Sequence, residues 1–409
     1  MRTCITSFGS TGDIQPLLAL GVELRSHGHE VLFALAPNYE RRLGELGFPF
    51  TPIGPDLHPL QREIMRRQMQ GALTEQQLQP LLQPFVDALP TMFRELRDAC
   101  RDVDVLVSAA EQPVGCMVHE VTGLPFASVH FAMVDAREVQ SQQRFAALVN
   151  PFRAQLGLRP ISFAHPLTIV GNSPQLALYA LSRHVLRPGP LWPSHYAVTG
   201  FFALEEEHDA PDPALAAFLA DGPPPVAVSF GSMVHDDPAA LTELVLTVIE
   251  RAGCRAVIQQ GWSGLQARHS LPQNVHLCGV VPHSWLFPRA ACVIHHGGMG
   301  TTAAAFRAGV PSVVVPHLFD QFAVAGVAQQ LGVAPEPVLY RQLSAPRLLA
   351  ALQQALHEPR HRQMALVVRH QVRAEPGVRM ARERIEQLVA AHSGRPGRTA
   401  AGGPPAADV

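Results

Sequence analysis

The sequence predicts an α/β protein built from two doubly wound, parallel-sheet domains. Three observations carry this. The chain has 409 residues, 47% of them hydrophobic, which is beyond the size at which a single core keeps growing. Short apolar strand-like runs alternate with stretches of helical spacing, and that series occurs twice. Between the two series, around 202–225, the composition turns acidic and proline-rich.

The first series opens with a strand at Thr3–Phe8, the turn Gly9-Ser10-Thr11-Gly12, and a helix starting near Ile14 with apolar residues at Ile14, Leu17, Leu18, Gly21 and Leu24. Pro16 fits a first helical turn. Glu30–Leu35 reads as the second strand, and Leu43–Ile53 adds a short helix and strand. The proline-punctuated region from Asp56 to Cys100 is helical, and Val103–Ser108 and Phe126–His130 are further strands. Glu205-Glu206-Glu207 and Pro211-Asp212-Pro213 bracket a linker. The second series then places strands at Val226–Phe230, Ala256–Gln260, Val275–Cys278, Cys292–His296 and Ser312–Pro316. The domains are therefore expected at 1–204 and 205–392, with 393–409 a disordered tail.

Composition excludes several functions. The chain contains no lysine, which removes Walker A, kinase-type and Schiff-base chemistry. A formal net charge of −2 with no basic run gives no footing for nucleic acid, and no apolar stretch reaches the length of a membrane span. The apolar run at the amino terminus is interrupted by Thr6 and Ser7 and reads as a buried strand rather than a signal peptide. Six scattered cysteines with no C-x-x-C pair read as reduced core residues of a cytoplasmic protein.

The chemistry concentrates in Cys292–Gly309, where a strand enters His295-His296-Gly297-Gly298-Met299-Gly300-Thr301-Thr302 and a helix follows. Glycines let main chain approach a ligand, and the first amides of a helix have no partner within it. A diphosphate is the natural occupant. His296, Gly298, Gly300, Thr301 and Thr302 are the expected contacts, and Ser232, in the similar turn Ser229-Phe230-Gly231-Ser232, is another. From Arg251 through Phe319 there is no Asp or Glu, so this segment offers an anion no repulsion. Asp320 and Gln321, at the carboxyl end of the next strand, suit paired sugar hydroxyls, although Asp320 also fits a helix cap. In the first half, Asp13 follows the first strand. It reads either as a helix cap or as a base that takes the proton of an attacking hydroxyl. Asp102-Val103-Asp104 has a metal-binding form but precedes a strand, His119-Glu120 lacks a second histidine, and no metal site is expected.

These turns resemble those of the inverting family 1 glycosyltransferases of GT-B architecture, in which two Rossmann-like domains face a central cleft. The bacterial branch acting on antibiotics, macrolides and sterol-like aglycones is the most similar. The resemblance rests on Gly9–Pro16, Gly200-Phe201-Phe202, Ser229–Met233, and the run from Val281-Pro282-His283-Ser284-Trp285-Leu286 to Asp320-Gln321. It implies Asp13 as catalytic base, diphosphate contacts at the glycine turn, Asp320 and Gln321 on the donor sugar, and Val281 beside the nucleoside base. It also implies a last helix packed back on the first domain, a UDP- or dTDP-sugar co-substrate, and no metal or other cofactor. Val280 and Ala304 stand where plant relatives carry tryptophan and glutamate, which leaves dTDP open. Acceptor contacts are expected from Met65, Met69, Phe85, His130, Phe131 and Met133, each of which fits a core equally well. A lipid-carrier transferase, a nucleotide-sugar epimerase and a non-catalytic donor-binding protein stay open as alternatives. The sequence does not give the oligomeric state.

Overall fold

The computed structural model describes residues 1–9, 11–71, 73–133, 136–161, 163, 169–190, 192–204, 212–261, 264–266 and 269–393. Ser10, most of the expected linker at 205–211 and the tail from residue 394 lie outside the described residues.

The first lobe is a seven-stranded sheet of β1 (Arg2–Thr6), β2 (Glu30–Leu35), β3 (Phe50–Pro52), β4 (Val105–Ala109), β5 (Phe126–His130), β6 (Leu176–Tyr179) and β7 (Tyr196–Val198), in the order β3-β2-β1-β4-β5-β6-β7. The second is a five-stranded sheet of β8 (Val226–Ser229), β9 (Ala256–Gln259), β10 (Val275–Cys278), β11 (Cys292–His295) and β12 (Ser312–Val314), in the order β10-β9-β8-β11-β12. All the strand pairings are parallel. Covered by helices on both faces, the central strands can be apolar throughout; in β4, β5, β8 and β11 every residue is buried. The sequence pattern had not marked β6, β7 or the helix Ala136–Gln155. β6 and β7 have only four and three residues, too short for periodicity to register.

The first helix corrects two expectations. It runs from Thr11 to Ser26, so Asp13 lies within its first turn rather than at the cap, and Pro16 lies inside the helix rather than in its first turn.

The chain ends by crossing back to the first lobe. Helix Pro359–Ala374 packs on the second lobe beside Phe306, while Ala381 and Ile385 of helix Val378–Ser393 are buried in the core of the first sheet. At the crossing, the Glu375 carboxylate accepts from Ser182 Oγ (3.0 Å) and the Arg183 amide (2.9 Å), and the Gly377 amide donates to Thr199 O (2.9 Å). Helix His58–Gln70 also reaches the second lobe: Met65 packs against its core, and Gln70 Nε2 donates to Asp236 Oδ1 at 2.9 Å. Among the described residues no helix is long and apolar enough to cross a membrane. All six cysteines are free.

Candidate active site

In a parallel sheet the carboxyl ends of the strands open onto the ligand crevice. In the second lobe those ends bring together Ser229, His295 and Val314, which are held in register by pairing of β11 with β8 and β12. The turns beyond them are fixed by contact as much as by backbone angle. Gly231 has φ +56°, and a Cβ there would lie 2.8 Å from His296 Cε1. A Cβ on Gly298 would lie 2.3 Å from His296 Nε2. The imidazole is thus enclosed between two glycines, 6% exposed, with Nδ1 unpartnered among the described residues. Gly297 has φ +89°, and its amide donates to His295 Nδ1 at 3.1 Å, setting the turn.

The helix Met299–Ala308 starts here. Gly298 is its cap, no side chain caps it, and its first turn holds no acid. Gly300 is exposed and Thr301 is 7% exposed. The Thr302 amide (2.9 Å) and Oγ1 (3.0 Å) both donate to Gly298 O, and Thr302 is fully buried. Thr302 therefore closes the turn, where a hydroxyl presented to an anion had been expected. The amides of residues 299–301 precede the first intrahelical bond and mark the pole for a negative ligand. Ser232, next in sequence to Gly231, is half-buried.

Two more expectations change. The Val281 side chain is in the core, 5% exposed, and its carbonyl accepts from Gln259 Nε2 at 2.6 Å; Val280, 84% exposed, presents the side chain at this strand end. Gln321 is 3% exposed, and its Oε1 accepts from the amides of His317 (2.9 Å) and Leu318 (3.1 Å). That bond pair pins the loop on which Phe319 adopts φ 56° and is 56% exposed. Asp320 holds the cap position of the helix Gln321–Gln330 without a side-chain cap bond, and it is half-buried. Of the expected sugar-binding pair, the Gln321 amide oxygen is taken up by the loop, where the main-chain donors of His317 and Leu318 need an acceptor.

In the first lobe, Asp13 sits over the turn after β1. Gly9 has φ +145°, and a Cβ there would lie 2.2 Å from Asp13 Oδ2. The Gly9 carbonyl accepts from Tyr39 Oη at 2.9 Å and lies 2.9 Å from His58 Nε2. Burial raises the Tyr39 phenol well above its ordinary value, and the Asp13 charge raises it further, which places the two within electrostatic reach.

The acceptor candidates divide. Phe85, His130 and Phe131 are 2%, 1% and 8% exposed. Phe85 and Phe131 lie in the two apolar cores of the first lobe, and His130 stacks on Tyr179 at 4.4 Å. Met65 packs against the second lobe and Met133 against the cluster around Phe201 and Phe306. Met69 is half-buried on helix His58–Gln70. Asp102 and Asp104 lie at the amino edge of the sheet, where Asp104 Oδ2 accepts the Arg2 amide at 2.7 Å. Among the described residues no group of three or more His, Cys, Asp or Glu is arranged to hold a metal.

Sequence reasoning missed Tyr39, His58, Ser7 and Gln112. Ser7 and Gln112 follow β1 and β4, two neighbouring central strands, and the carboxyl-end rule applied to every strand finds them. Tyr39 and His58 carry no such signal.

Burial also makes the protein acid-sensitive. Desolvation holds His130, His295 and His296 near about 3, His235 and His283 near about 4, and His317 near about 2. The folded chain keeps them neutral, whereas the unfolded chain takes up protons near about 6.5. Stability is therefore full above that value and falls as pH drops through it, by up to about 1.4 kcal/mol per pH unit for each group. Melting temperature is expected to be level between pH 7 and 8 and to fall steeply between pH 6.5 and 5. A flat response would show that these rings are not held neutral.

Residues 3–140 match the family model of the glycosyltransferase family 28 N-terminal domain. Residues 244–389 match that of the erythromycin biosynthesis protein CIII-like C-terminal domain. The chain is 32% identical to O-mycaminosyltylonolide 6-deoxyallosyltransferase of Streptomyces fradiae, over 95% of this chain and 97% of that one. It is 30% identical to sterol 3-beta-glucosyltransferase of Emericella nidulans over 94% of its own length, and it spans 29% of that relative. Among solved structures, the spinosyn rhamnosyltransferase complexed with thymidine diphosphate superposes with a TM-score of 0.72 at 22% identity, covering 94% of this chain and 100% of that one. With both halves matched and a full-length relative above 30% identity, the chain belongs to the family 1 glycosyltransferases of GT-B fold.

Proposed function

We propose that the protein transfers a hexosyl group, with inversion and without a metal, from a dTDP- or UDP-sugar to a hydroxyl of a small, largely apolar natural product. The observation that carries this is the turn at 296–301, where a neutral histidine and the free amides of an acid-free helix start meet at the carboxyl end of β11. The diphosphate binds there, Asp320 holds a sugar hydroxyl, and the nucleoside lies by Val280 and the main chain of Val281. Asp13 takes the acceptor's proton as the acceptor oxygen attacks the anomeric carbon from the face opposite the diphosphate. The bond from that carbon to the diphosphate oxygen breaks, and the departing charge is met by the helix amides. Thymidine diphosphate in a structural neighbour supports dTDP, and the macrolide and sterol relatives support an apolar acceptor.

The test supplies dTDP- and UDP-sugars with hydroxylated macrolactones and sterols and reads glycoside formation by mass spectrometry and anomeric configuration by NMR. An inverted glycoside formed equally well in the presence of EDTA is expected. Free sugar or an epimer without acceptor would instead make the protein a donor-modifying enzyme.

A further inference from the structure

Beside the base lies a recess that the reaction above does not use. It is lined by Ser7, Gly9, Tyr39, His58, Gln61 and Gln112, with Ile53, Leu57 and Met92 among its apolar walls. Its volume is about 10 Å³, the room of one water or hydroxyl oxygen. Three buried polar atoms around it, Ser7 Oγ, Gln61 Oε1 and Gln112 Oε1, have no hydrogen-bond partner among the described residues. Ser7 is 4% exposed and Gln112 1%. The Gln112 amide nitrogen donates to Ser7 O at 3.4 Å, which fixes its oxygen as the free end. Buried acceptors left unpaired cost stability unless a ligand or solvent completes them.

We infer that this recess binds a second hydrogen-bond-donating group of the acceptor, a hydroxyl distinct from the one that is glycosylated. A hydroxyl donates its one proton to one of the amide oxygens and accepts from Ser7 Oγ, which adapts to either role. The size admits one oxygen, and the apolar walls suit the carbon skeleton that bears it. Asp13 does not line the recess, although Gly9 borders both, so the group held here is not the one the base deprotonates. The acceptor class is accordingly an apolar polyol, such as a polyketide macrolactone, rather than a monohydroxy sterol. The inference rests on the reading of the chain as an acceptor glycosyltransferase.

The test measures, by calorimetry on the full chain saturated with thymidine diphosphate, the binding of a macrolactone bearing two hydroxyls, its monohydroxy analogue, and a monohydroxy sterol. The diol is expected to bind about tenfold or more tightly than either, because only the diol brings a second hydroxyl for the recess acceptors. In Ser7→Ala and in Gln61→Leu the diol falls to the level of the monohydroxy analogue, while the thymidine diphosphate dissociation constant stays unchanged. Equal binding of diol and analogue by the native chain, or a preference that survives both substitutions, would leave the recess as a seat for water and overturn the inference. Turnover is read separately. Selective diol binding without glycoside formation would count against the transferase reading and not against the recess.

Discussion

Asp13→Asn is expected to lower kcat about 10²- to 10⁴-fold, about 3–5 kcal/mol of barrier, with no change in the affinity for thymidine diphosphate. The substitution is nearly isosteric, which matters because the side chain folds over Gly9 with no space to spare. Asparagine keeps that contact and removes only the ability to accept a proton. An attacking alcohol is far less acidic than a carboxylic acid, so its proton must leave as the new bond forms, and the acceptor of that proton has to be in place beforehand. Steady-state kinetics at saturating donor, paired with calorimetry on the diphosphate, separates the two lobes. A kcat within threefold of the native value would remove Asp13 from the chemistry.

Gly298→Ala is expected to weaken thymidine diphosphate binding by about 100-fold or more and to destabilise the fold by about 1–3 kcal/mol, as overpacking does. Its φ of −59° is open to alanine, so the backbone angle is not the obstacle. The obstacle is His296: the new methyl would sit 2.3 Å from Nε2, and Gly231 closes the other side of the ring. With glycine main chain on both sides of the ring, the clash is expected to be relieved by movement of residues 296–300, and with it of the amides that meet the anion. Gly298→Ala combined with His296→Ala tests this. The double variant is expected to recover most of the lost stability, since the clash is gone, without recovering diphosphate affinity, since the imidazole is gone too. Melting curves and calorimetry on the three variants read both effects. Stability losses that simply add would show that ring and methyl never met.

The parallel sheets, the two lobes and the glycine turn were legible in the sequence because they are written in short-range signals: fully apolar runs of four or five residues, glycines at strand ends, and an acid-free stretch from Arg251 through Phe319. The position of Asp13, a few residues beyond a strand, was legible for the same reason. Its exact helical position was not, because the start of a helix depends on the contacts of the preceding turn. The acceptor residues were not legible either. A phenylalanine or methionine at helical spacing reads alike in a core and in a pocket, and Phe85 and Phe131 proved to be core while Met65 crossed to the other lobe.

The amino-acid sequence by itself determined which side chains and turns are available: a carboxylate after the first strand, a glycine turn opening a helix after β11, and no lysine. The tertiary structure alone decided which polar groups are left to act. Gln321 and Thr302 use their side chains on their own turns, whereas Ser7 and Gln112, unremarkable in the sequence, converge near Asp13 with atoms unpaired among the described residues. Hydrogen-bond satisfaction is set by what lies within about 3 Å in space, and neighbours more than a hundred residues apart are fixed only when the sheet closes.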